Sequence, residues 1–70
     1  MISERLEKLV EEMVDKGVRF DDAVCEFEKR FIARVLNRSR GSLTETATTL
    51  GMHRNTLSRK MGQYKIKRGW

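Results

Sequence analysis

The sequence predicts an all-α domain of four helices, and three observations carry that expectation. The 70 residues contain no proline and few aromatics, while Glu, Lys, Arg and Leu are abundant, a composition that favours helices over strands. Apolar residues recur at three- and four-residue spacing in successive segments, which draws stripes along helices and not the alternation of strands. Ser42-Leu43-Thr44-Glu45 matches a helix-starting capping box and is followed by glycine at position 51, a start and a stop within one short segment.

The first helix is expected to open with Ser3 as its cap and Glu4 in the anion-favouring first turn. Leu6, Leu9, Val10, Met13 and Val14 form its apolar stripe, and Lys16-Gly17 closes it. A second helix is expected from Asp21 to about Asn37. Phe20 before the cap and Cys25 in the second turn stand where a hydrophobic staple would place them. It carries two apolar faces, one of Phe20, Val24, Phe27, Phe31 and Val35 and one of Cys25, Ile32 and Leu36.

A helix with two apolar faces needs two partners. The first face is expected to cover the rest of its own chain. The second, with the face of the first helix, exceeds what 70 residues hide and predicts a homodimer. The expected interface is Leu6, Leu9, Val10, Met13, Cys25, Phe27, Ile32 and Leu36. The competing reading is a single fuller core in which Cys25 is an ordinary small hydrophobe. One cysteine permits no intramolecular disulfide, so a second chain is the remaining staple for so small a core.

After Asn37 the stretch Arg38-Ser39-Arg40-Gly41-Ser42 reads as a turn, with Gly41 free to take positive φ. A short third helix follows from Leu43, with Leu43, Ala47 and Leu50 facing inward and Gly51 ending it. The fourth has His53 as its cap and a body from Arg54 to about Gln63, with Leu57, Met61 and Tyr64 inward. Ala47 and Gly51 supply the small side chain and the sharp turn of a tight helix-turn-helix over residues 42–66. Arg54, Asn55, Ser58 and Arg59 then face outward with Thr56 flanking. These donors suit base edges and phosphates on a helix of a width that fits a major groove.

Charge follows the same division. The net charge is +5; residues 1–36 carry seven Lys/Arg against nine Asp/Glu, and residues 37–70 carry eight against one. A mildly acidic assembly half, residues 1–37, is thereby joined to a polyanion-binding half within one domain of residues 1–70.

The segment from Gly41 to Ile66, GSLTETATTLGMHRNTLSRKMGQYKI, resembles the helix-turn-helix of the Fis-type family, which includes the nucleoid protein Fis and the C-terminal output domains of NtrC-like, sigma-54-dependent activators. The shared pattern is met by Gly41, Ser42, Thr44, Ala47, Leu50, Gly51, Met52, Arg54, Thr56, Leu57, Lys60, Met61, Tyr64 and Ile66. Upstream, FDDAVCEFEKRFIARVL is similar to the helix that precedes the motif in the activators. The resemblance implies a dimer core interlocked from the first two helices and bent DNA under closely spaced recognition helices. It implies a base contact, typically to guanine, by Arg54, phosphate contacts by Thr56 and Arg59, and backbone contacts by Ser42 and Thr44. Lys60 joins the expected phosphate set, and His53, Asn55 and Ser58 join the expected base contacts. His53 stands where Fis carries a base-contacting asparagine and where the activators commonly carry histidine, so the difference bears on the target sequence. Thr48 in place of an alanine and Glu45 near the expected phosphates are further departures.

The expected function is sequence-preferring binding of double-stranded DNA as a homodimer, in a bacterial transcription regulator or its output domain. The partners are DNA, a second copy and the transcription machinery, in the cytoplasm at the nucleoid. No cofactor, metal, membrane or small-molecule ligand is expected. His53 has no partner at ligand spacing, no run approaches a membrane span, and no paired acids, nucleophile-base pair or phosphate loop predicts an enzyme. The rival readings are a dimerisation or protein-interaction module with incidental nucleic-acid binding, and a binder of structured RNA. Tyr64 is expected to pack in the core, and Trp70 to belong to a frayed tail.

Overall fold

The computed structural model describes residues 1–67; Trp70 lies outside them. Its elements are α1 (Ile2–Asp15), α2 (Phe20–Arg38), α3 (Leu43–Leu50) and α4 (Arg54–Tyr64), with no strand among the described residues. The all-α expectation holds; the first two helices start earlier than expected, and α2 and α4 each run one residue further, to Arg38 and Tyr64. Met1 caps α1 without a side-chain bond, which places Ser3 inside the first turn. Arg19 caps α2 likewise, so Asp21 and Asp22 lie in its first turn, where the helix dipole favours carboxylates. Phe20 is the first residue of α2 and is 80% exposed, so it forms no staple.

All four helices end in one way. Gly17, Arg40, Gly51 and Lys65 each take positive φ. The next amide then donates five residues back, Val18 to Met13 (2.9 Å), Gly41 to Leu36 (3.0 Å), Met52 to Ala47 (3.0 Å) and Ile66 to Met61 (2.9 Å). These bonds satisfy carbonyls that each helix end would otherwise leave open. Glycine marks two of these stops; Arg40 and Lys65 hold the left-handed conformation without it.

The core joins the C-terminal half of α2 to α3 and α4. Ile32, Leu36, Ala47, Leu57 and Met61 are buried, and Leu43, Leu50, Met52, Tyr64 and Ile66 pack against them. This corrects the assignment of the two faces of α2. Ile32 and Leu36, expected at the dimer interface, are each 2% exposed within their own chain and are not free to meet a second one. Phe31, of the face expected to cover the chain, is 50% exposed, and Phe27 of the same face, which the expected interface already included, is 58% exposed. Both faces are apolar, so periodicity alone could not choose between them; the fixed direction of the turn into α3 does.

Helix α1 has no buried residue and touches the other helices only sparsely. Between it and α2 lies an open apolar groove lined by Leu6, Leu9, Val10, Met13, Phe27 and Phe31, among others. The chain is accordingly extended. Its radius of gyration is 13.7 Å, against about 11 Å for a compact domain of this length. It exposes 6080 Å², against about 4,500 Å² for a compact monomer of its mass.

Candidate nucleic-acid interface

The outward face of α4 is built from its cap inward. His53 adopts extended backbone, and its Nδ1 accepts the Asn55 amide at 3.0 Å. In the neutral ring that bond places the proton on Nε2, leaving a donor free for an external acceptor. Leu57 is 0% exposed and Met61 is buried, which pins one side of the helix to the core. The helical repeat then turns Arg54, Asn55, Ser58 and Arg59 to solvent, and all four are exposed. Thr56 is half-buried at the edge.

Helix α3 supports this face from below. Ser42 Oγ accepts the Glu45 amide at 3.3 Å, as the capping box predicts. Ala47 is buried, and Gly51 has a φ of 73°, the conformation in which a side chain would be strained. Thr46 is fully buried and donates its hydroxyl to the Ser42 carbonyl at 2.7 Å. Sequence reasoning passed over Thr46, which follows the capping box of Ser42 to Glu45; only the adjacent inward Ala47 hinted at its burial. Ser42 is half-buried and Thr44 exposed, so Thr44 is the more accessible of the two at the start of α3.

Electrostatics sorts the cations. No carboxylate lies on α4, and among the described residues neither Arg54 nor Arg59 has an ion-pair partner. Lys60 is different: its Nζ lies 2.8 Å from Glu28 Oε1 on α2. Lys60, expected among the phosphate contacts, thus already has an ion-pair partner within its own chain, which Arg54 and Arg59 do not among the described residues. Tyr64 Oη donates to the same Glu28 oxygen at 2.6 Å. The Lys60 bond first, then the Tyr64 bond, hold the Glu28 carboxyl below the usual range, against a smaller opposing effect of burial. The Glu28 bond, with burial and a hydrogen bond involving Cys25, holds the Tyr64 phenol above its usual range. Tyr64 thus packs against the core as expected, with a polar anchor that the sequence did not announce. Cys25 is an exposed free thiol beside it.

Among the described residues no cluster of three or more His, Cys, Asp or Glu could hold a metal ion. No helix among the described residues is long and apolar enough to cross a membrane.

The model of the bacterial regulatory protein family Fis, a family of DNA-binding helix-turn-helix regulators, matches residues 23–64, from the first turns of α2 to the end of α4. No curated protein and no solved structure matches the chain. With most of its length inside that match and its helices in the expected order, the chain belongs to the Fis family of bacterial regulatory proteins.

Proposed function

We propose that the chain binds double-stranded DNA as a homodimer, preferring certain sequences, with α4 in the major groove, and that it acts in transcription regulation in the cytoplasm. The observation that carries this reading is the face of α4: two guanidiniums without carboxylate partners among the described residues, beside Asn55 and Ser58, on a helix packed on its own core by Leu57. Arg54, His53, Asn55 and Ser58 are assigned to base edges. Arg59, Thr56, Ser42 and Thr44 are assigned to phosphates, which fix register without reading sequence. The second copy is assigned to the groove between α1 and α2. The surface beyond that of a compact monomer is roughly 1,500 Å² per chain, which for two chains falls in the range of obligate homodimers.

Selection of bound sites from a random duplex pool tests the reading, with a palindromic consensus expected. On that site Arg54→Ala should lose about 1–3 kcal/mol and relax discrimination at one base pair. Arg59→Ala should weaken all duplexes alike and flatten the log-log salt dependence by about 0.9. The reverse division between the two arginines would refute the assignment of roles. The exposed apolar face of α1 and α2 favours a second reading, a dimerisation module with incidental nucleic-acid binding. A pool that yields no consensus, and an affinity indifferent to Arg54, would select it.

A further inference from the structure

Among the described residues Glu28 is the one carboxylate that bonds from α2 to α4. Its Oε1 receives Lys60 Nζ at 2.8 Å and Tyr64 Oη at 2.6 Å, across 32 and 36 residues of chain. Lys60 and Tyr64 are one helical turn apart on α4, so a single oxygen grips the helix at two points along its axis. The apolar contacts of Leu57 and Met61 on the same side are non-directional and tolerate a small roll of the helix. Hydrogen bonds to a charged acceptor are directional and short, and do not.

We propose that Glu28 and Lys60 are positioning residues for DNA reading: the clamp sets the roll of α4 on α2, and it withholds the Lys60 charge from phosphates so that the outward field of the helix belongs to Arg54 and Arg59. The proposal rests on the DNA-binding reading above. A roll of α4 moves Arg54 and Asn55 sideways against base edges, where recognition demands placement to within about 0.5 Å. A Lys60 released from Glu28 would add a contact that strengthens binding to any sequence. The clamp also touches the proposed dimer surface. Glu28 and Lys60 line a cleft with Phe27, Phe31, Leu50 and Met52. Their side chains are only 29% and 30% exposed as the chain stands. A second copy covering the two phenylalanines would raise the Coulomb attraction within the pair and at the same time desolvate both charges.

Anisotropy titrations of the full chain on the selected duplex and on a scrambled one, over a series of KCl concentrations, test this. Lys60→Gln is expected to leave the log-log salt slope at the wild-type value and to lower the selected-to-scrambled affinity ratio by about tenfold, as loss of roughly 1.4 kcal/mol of positioning would. Glu28→Gln is expected to steepen the slope by about 0.9, to tighten binding to the scrambled duplex, and to narrow the same ratio. The double variant should discriminate no worse than either single one, because both remove one clamp. A purely structural role would lower the melting temperature without steepening the slope. If Glu28→Gln folds poorly, Lys60→Gln decides alone. A Lys60→Gln slope flattened as much as that of Arg59→Gln would place Lys60 on a phosphate and overturn the proposal while leaving DNA binding intact. Unchanged ratios in both variants would overturn it too. A wild-type chain that binds neither duplex would remove the DNA reading and the clamp's role with it.

Discussion

Phe31→Ala separates the proposed dimer from the fold of the single chain. Phe31 is 50% exposed and lies outside the buried core, with its ring centroid 5.3 Å from that of Phe27. A phenylalanine buries about 200 Å², so roughly 100 Å² of Phe31 is open for a second copy to cover. At about 25 cal/mol per Å² that is roughly 2.5 kcal/mol per chain. A twofold dimer loses it twice, and the retained alanine methyl returns part of it. The expected cost is about 4 kcal/mol, a rise of roughly a thousandfold in the dimer Kd. Sedimentation equilibrium over a range of concentrations measures this, with far-UV circular dichroism as the control for helix content. A Kd within about tenfold of wild type would refute the assignment of this face. So would a wild-type chain that sediments as a monomer at about 100 times the Kd expected for an obligate interface.

Ile32→Ala should act on the other side of α2. As Ile32 is 2% exposed within its own chain, it should cost about 2–5 kcal/mol of unfolding free energy by urea titration, through loss of the helix-turn-helix core. Gly62→Ala should stabilise by about 1 kcal/mol in the same assay, because Gly62 is inside α4 and an added Cβ meets nothing within 4 Å. Arg40→Gly should also stabilise, by about 1 kcal/mol, by relieving the φ of 52° at the end of α2. The Glu28 clamp gives a pH signature. Its folded pKa is lowered, so its contribution is complete above the ordinary glutamate range and is lost as pH falls through the folded value. Glu28→Gln should therefore flatten the acid limb of a melting-temperature profile below about pH 5, and an acid limb identical to wild type would show that the pair stores no stability.

The two halves of the chain were legible to different degrees. The helix-turn-helix was almost fully readable, because its signals are local: Ser42 and His53 cap the helices they precede, Gly51 turns the chain, and Leu57 and Met61 repeat at helical spacing. Exposure of Arg54, Asn55, Ser58 and Arg59 followed from that spacing. The assembly half was less so. Ser3 and Asp21 are good caps by residue type, yet α1 and α2 begin with Met1 and Arg19 as their caps, without side-chain bonds.

Residue order alone thus sets what depends on neighbours a few positions apart, namely the four helices, their stops at Gly17 and Gly51, the outward donors of α4, and the family pattern. Packing in three dimensions was needed to say which apolar face of α2 the chain keeps for itself, because Phe31 and Ile32 are adjacent and equally apolar, and only the placement of α3 and α4 buries one of them. It was needed equally for Lys60, whose partner Glu28 is 32 residues away. A cation's role follows from whichever carboxylate the fold brings within about 3 Å of it, and no local spacing encodes that distance.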